Sequence, residues 1–223
     1  VHGLISPNAR SGRVVSRYPC CPASIKSRIY TEDIDFNFSD LHVGKSRHFL
    51  QSGIPLPPLT SKVNYWNIVQ LFEEFQPAHW VVLGDLIHSD ENSEWDEFED
   101  FLETLPPIRK TLVMGNHDQP LRNRLSPFGF ACTEELVEGN ILFTHEKTTP
   151  APKDHFQITG HVHPAITLQG KANQRMRIPC FWLSGSHLTL PAFGSFTGAY
   201  TIHPHKKDRV FACIEREVIE FKP

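Results

Sequence analysis

Five short segments carry side chains able to hold cations: Asp40-Leu41-His42, Gly84-Asp85, Gly115-Asn116-His117-Asp118, His145, and Gly160-His161-Val162-His163. Carboxylates, imidazoles and one carboxamide, with no thiolate among them, suit hard or borderline divalent metals. Taken singly each segment has a plainer reading: a Gly-Asp pair after a strand is usually a turn, and a lone histidine is usually a satisfied polar group. Chance rarely delivers all five in one chain. On an extended stretch, residues two apart point to the same side, so Asp40 and His42 can grip one ion together, as can His161 and His163. Two cations about 3.5–4 Å apart lower the pKa of a shared water and clamp the attacking oxygen of an in-line displacement.

Each segment sits at or just after a predicted strand end. Ile34, Phe36 and Phe38 alternate with polar residues, as in a strand that ends at Ser39 and Asp40. After the Pro-rich turn at Pro55, Pro57 and Pro58, Thr60 can cap a helix whose apolar residues Val63, Trp66, Val69, Phe72 and Phe75 recur every third residue. His79–Leu83 reads as a strand. Ser93 can cap a second helix with Trp95, Phe98, Phe101, Leu102 and Leu105 inward, and Thr111–Met114 is a further strand. Alternating strands and helices predict crossover units on a parallel sheet, where ligands collect beyond the carboxyl ends of the strands. The second half holds runs at 140–144, 156–159, 177–183, 196–202 and 209–214 that read as strands with hardly any helical pattern between them. A second sheet packed on the first follows.

A chain of 223 residues fits one domain with a substantial core. Residues 1–30, with Pro7, Gly12, Pro19 and Pro22, show no period of either kind and read as loop-rich. The net charge of -3 argues against a surface coated in Lys and Arg but leaves room for a local basic groove, and 13 histidines ask for a reason such as metal binding. The five cysteines show no C-x-x-C spacing, which favours a reduced, cytoplasmic protein, with the adjacent Cys20 and Cys21 as free thiols. No apolar run is long enough to span a bilayer. The chain opens at Val1 without Met, which leaves room for a short leader upstream.

The ordered set D-x-H, G-D, G-N-H-D, H and G-H-x-H, spanning Asp40 to His163, resembles the signature of calcineurin-like metallophosphoesterases. The resemblance implies an α/β, four-layer fold, with two packed mixed β-sheets forming a sandwich flanked by helices. It implies that Asp40, His42 and His163 hold one metal, that Asn116, His145 and His161 hold the other, and that Asp85 bridges them. His117 is then left over as a general acid within reach of the leaving-group oxygen, with Asp118 placed to orient its ring. Arg122, Arg124, Lys45 and His88, in or just beyond the motif loops, are candidates to position the phosphate.

Three stretches are similar to a narrower family, the bacterial ligase-associated DNA damage response endonucleases: SDLHVGKSRHFLQSGIPLP at Ser39 to Pro57, VVLGDLIHS at Val81 to Ser89, and Gly160 to Gly198, with GHVHPAI, RIPCFWL and LPAFGSFTG. Leu50 stands where that family often has Arg. This resemblance implies a manganese-type dinuclear enzyme acting on phosphodiesters, with single-stranded or damaged DNA as substrate, DNA ligase or helicase partners, and Fe or Zn as alternative metals. Within LPAFGSFTG, Phe193 and Phe196 read as core residues in preference to a base-stacking platform. The nearest competing readings are a small-molecule phosphodiesterase or phosphomonoesterase and a metal-free interaction scaffold.

Overall fold

The computed structural model describes residues 35–45, 60–87, 93–150, 153–171, 174–194, 197–214 and 217–221. The predicted strand at residues 34–38 is β1, Asp35–Phe38, and β2 is His79–Leu83. The third strand begins two residues earlier than predicted, as β3, Arg109–Val113. A fourth strand missed in the sequence, β4, Phe130–Thr133, gives, among the described residues, a sheet in the order β1-β2-β3-β4 with every pairing parallel. Helices α1, Thr60–Phe75, and α2, Ser93–Thr104, make the first two crossovers, and the one-turn α3, Arg122–Leu125, lies between two 3-10 turns in the third. The side chains of Thr60 and Ser93, read as caps, lie outside the described residues, as do His88, Leu50 and residues 1–34.

Every residue of β2 is buried, as a parallel strand covered on both faces must be. Trp80 and Val82 face the helices, in a cluster with Phe38, Ile68, Phe72, Phe98 and Leu112. Trp80 sits at its centre, with ring centroids 5.4, 5.5 and 5.3 Å from Phe38, Phe72 and Phe130. Val81 and Leu83 face the other way, into a cluster with Phe143, Ile158, Phe181, Leu188 and Phe211 of the second sheet. That cluster is the filling of the sandwich.

The inward face of α1 departs from the sequence reading. Trp66 is 49% exposed, whereas Tyr65, Ile68, Leu71 and Phe72 are buried. A strict three-residue row slips by about 60° per step on a helix of 3.6 residues per turn, so its five members cannot share one face. The buried row mixes steps of three and four. All five residues predicted to face inward from α2 are buried, four of them on the helix and Leu105 just past its end.

Among the described residues the second sheet has nine strands: β5 (Glu135–Glu138), β6 (Ile141–Thr144), β7 (Phe156–Thr159), β8 (Pro164–Gln169), β9 (Arg175–Ser184), β10 (His187–Thr189), β11 (Tyr200–Thr201), β12 (Arg209–Ile214) and β13 (Glu217–Phe221). Here the pairing is mixed: β6 and β7 are parallel, β8 and β9 antiparallel. The runs predicted at 177–183 and 196–202 correspond to the longer β9 and the two-residue β11, while β5, β8, β10 and β13 had been missed. The outer face of this sheet packs a third cluster, Ile166, Ile178, Cys180, Ile202, Val210 and Ala212. Among the described residues the helices supply a layer on one side of the sandwich.

Candidate metal centre

The carboxyl ends of β1, β2, β3, β6 and β7 deliver all five segments to one place. Ser39 and Asp40 follow β1, Gly84 and Asp85 follow β2, and the turn at residues 115–118 follows β3. His145 follows β6, and Gly160 to His163 follow β7. Backbone hydrogen bonds tie the loops together: Asp40 N donates to Gly84 O (3.1 Å), His42 N to Asp85 O (3.0 Å) and Gly160 N to His145 O (3.1 Å).

The expected extended geometry of the two x-separated pairs is not found. Asp40, His42, Asp85, His161 and His163 all adopt positive φ, between 48° and 66°, and among the described non-glycine residues only Gln76 shares this feature. The left-handed region costs roughly 1–2 kcal/mol per residue. Such residues collect at sites where the surrounding structure over-determines the backbone. Tight loops at the strand ends therefore aim these side chains, and the two-residue alternation of a strand does not.

Two groups of ligand atoms result, each internally within 4.8 Å: Asp40, His42 and His163, and Asp85, His145 and His161. The Asp85 carboxylate links them. Its Oδ2 lies 3.8 Å from His42 Nε2, and its Oδ1 lies 3.6 Å from His145 Nε2. Two imidazoles are turned by backbone carbonyls: His145 Nδ1 lies 3.0 Å from Leu83 O, and His163 Nδ1 3.0 Å from Gly198 O. A proton on each Nδ1 makes that bond and leaves the Nε2 lone pair facing the cluster, the tautomer a metal requires.

The donor set fits divalent cations. Asp40 Oδ1 and His163 Nε2 are buried, face each other at 3.0 Å, and neither makes an aligned hydrogen bond. Buried polar atoms without such a bond call for a bound group, and a cation satisfies lone pairs converging in this way. Asp40 Oδ2 is used differently: it accepts from His161 N at 3.0 Å. Burial pushes the Asp40 carboxyl up, but its close polar contact with His163 and then the charges of His163, His145 and His42 more than reverse this, so it lies below the usual carboxylate range. Burial likewise pushes His163 down, and Asp40 outweighs it.

Asn116 and His117 are exposed at the turn after β3. His117 N donates to Asp85 Oδ1 (3.4 Å), and the His117 ring centroid is 6.4 Å from that of His42. Asp118 is fully buried, and its oxygens accept from Gly115 N (2.8 Å) and Leu86 N (3.0 Å), so it fastens the turn to the end of β2. Burial raises its pKa against the pull of those amides. Lys45 is half-buried close to Asp40 and Asp85. Burial lowers its pKa while the two carboxylates oppose the shift.

Arg122 and Arg124, read as phosphate contacts, have partners outside the cluster. Arg122 pairs with Glu134 at 3.4 Å. Arg124 lies over the Trp95 ring at 3.9 Å and reaches Glu99 at 3.8 Å, which braces it against α2. The sequence reading also missed Glu146. Its Oε1 accepts from Asn116 Nδ2 at 2.6 Å and lies 3.6 Å from His161 Nε2. Its position directly after His145 was the available cue.

The LPAFGSFTG stretch also has a structural task. Phe193 stacks on Phe38 at 4.4 Å and is fully buried, as read from the sequence, whereas Phe196 lies outside the described residues. Phe193 N donates to Ser39 O (2.9 Å) and Gly194 N to Asp40 O (3.2 Å), so this stretch straps down the Asp40 loop. A Cβ on Gly194 would stand 2.5 Å from Leu41 O, and one on Gly160 would stand 2.5 Å from Ser39 Cβ. Only glycine allows the loops this close.

The family model of the calcineurin-like phosphoesterases matches residues 37–171, more than half of the chain and all of the cluster. The chain belongs to that family. This calcineurin-like phosphoesterase is therefore a metal-dependent hydrolase of phosphate esters. Among proteins of curated function none matches the sequence. Of solved structures, the nuclease MPE of Pseudomonas putida is similar over 84% of this chain and 87% of that one, at 23% identity and a TM-score of 0.68. The phosphoesterase Yfce of E. coli overlaps over 84% and 97%, at 14% identity and 0.45. A protein of unknown function from Aquifex aeolicus, AQ665, overlaps over 58% and 79%, at 21% and 0.44. At 23% identity the likeness to the nuclease is one of fold. No helix among the described residues is long and apolar enough to cross a membrane, and the described cysteines, Cys132, Cys180 and Cys213, are free.

Proposed function

We propose that this phosphoesterase hydrolyses phosphodiester bonds of nucleic acid, with two divalent cations, manganese foremost, held by the cluster. The carrying observation is the placement of Asp85, one oxygen toward each ligand group, with His117 alongside. Asp40, His42 and His163 would hold one cation and Asn116, His145 and His161 the other, with Asp85 between. Cations so held supply Lewis acidity toward water and toward the scissile phosphate.

The remaining work falls to the chain's own groups. Lys45, beside Asp40 and Asp85, binds a non-bridging phosphate oxygen as a point charge. His117, exposed at the rim of the cluster, donates its ring proton to the leaving-group oxygen. Asp118 keeps the turn that carries His117 pinned to β2.

Nucleic acid as the substrate class draws support from the resemblance to ligase-associated DNA damage response endonucleases and from the fold shared with a nuclease. The same resemblance supports a repair setting. The test is a substrate pair: protein stripped with chelator should be inactive on an aryl phosphate bis-ester, Mn should restore turnover, and the matching mono-ester should react about tenfold more slowly or worse. Faster turnover of the mono-ester would sink the diester reading.

A further inference from the structure

Between Asp154 and Asp208 the sequence contains no Asp or Glu, yet it holds Lys171, Arg175, Arg177, Lys206 and Lys207. A chain with a net charge of -3 thus has a stretch of 53 residues with only positive formal charge. The compensating acid lies elsewhere: α2 alone carries Glu94, Asp96, Glu97, Glu99, Asp100 and Glu103. That helix packs on the outer face of the first sheet, across the sandwich from the second.

Register places the charges of the acid-free stretch on one face. In the β8–β9 pair, Ile166 stands opposite Ile178, and both are buried in the outer cluster. Alternation then sends Thr167 with Arg177, and Gln169 with Arg175, to the opposite face, where all four are exposed. Thr201 of β11 joins them, since it pairs with Ala165 and its hydroxyl lies 3.0 Å from that of Thr167.

This face starts at the metal centre. β8 begins at Pro164, directly after His163, and Tyr200 N donates to His163 O at 2.9 Å. Arg177 Nη1 donates to Ala199 O at 3.4 Å, next to the Gly198 carbonyl that turns the His163 ring. Two residues along a strand advance about 6.6 Å, so Arg177 and Arg175 stand at a spacing close to that of successive phosphates in an extended strand.

We infer that the face of β8, β9 and β11 bearing Thr167, Gln169, Thr201, Arg175 and Arg177 is a track for single-stranded nucleic acid, which leads the backbone to the metal centre at His163. It deepens, and rests on, the nucleic-acid reading of the site. Arginines bind successive phosphates, and the hydroxyls and the amide donate to backbone oxygens.

The test is binding of a fluorescent single-stranded 12-mer with Ca in place of Mn, across a salt series. Two variants each lower the net charge by two: Arg175→Gln/Arg177→Gln on the track, and Lys62→Glu on the exposed side of α1. The track variant should bind about tenfold more weakly, with a log Kd against log salt slope shallower by about 1.4, while the control shifts less than about twofold. Equal weakening in both variants, or none in the track variant, would overturn the track and leave the nucleic-acid reading standing. Wild-type protein that hydrolyses the bis-ester but has no affinity for the 12-mer at low salt would overturn both. Thermal midpoints show that each variant is folded.

Discussion

At the scale of the residue, two contacts separate orientation from chemistry. Glu146 holds Asn116 by its amide nitrogen and stands beside His161, so its carboxylate steers two of the proposed ligands without belonging to the clusters. Glu146→Ala should weaken metal affinity by about 10- to 100-fold at one of two sites, read by calorimetric titration, and unchanged affinity for both ions would remove this role. His117 makes a different prediction. His117→Ala should keep its metal content while turnover falls by about 10²–10⁴, more for esters with poor leaving groups than with good ones. Equal losses for both classes would remove the acid assignment. The Asp, Asn and His set was legible because those residue types recur in order at strand ends. Glu146 was not, since an exposed glutamate beside a loop is ordinary. Nor did the sequence betray the left-handed backbone at Asp40, His42, Asp85, His161 and His163, which depends on loops closing against one another through contacts such as Gly194 on Leu41.

At the scale of the element, periodicity worked where a stripe was unambiguous and failed where several could be drawn. The five apolar residues read on α2 are all buried, whereas on α1 a row of every third residue ran off the buried face and took in Trp66. The consequence is measurable. Phe98→Ala should cost about 3–5 kcal/mol of unfolding free energy, whereas Trp66→Gln should change it by no more than about 0.5 kcal/mol. A Trp66 variant as damaged as the Phe98 variant in urea unfolding would restore the original face. Strands β5, β8, β10 and β13 escaped notice for another reason: short strands with mixed polar exposure lack a period strong enough to read, and pairing holds them in place, as hairpin arms on β6, β9 and β12 for β5, β8 and β13 and along the distant β7 for β10.

At the scale of the whole molecule, two sheets of different origin close on one site. The parallel sheet brings Asp40, Asp85 and the 115–118 turn, the mixed sheet brings His145, His161 and His163, and the intersheet core from Val81 to Phe211 fixes their distance. Sequence reading reached the first sheet through its strand-helix alternation, and the second only as a set of strands, because their order depends on pairings between distant segments. The geometry of the centre is thus set by the packing of the sandwich, with Asp85 as the shared member of two ligand groups. The direct test is metal stoichiometry: protein reconstituted with Mn, desalted and assayed by elemental analysis should hold two ions per chain, and Asp85→Ala should hold one or fewer and lose bis-ester turnover. Two tightly held ions and full turnover in Asp85→Ala would contradict the dinuclear centre.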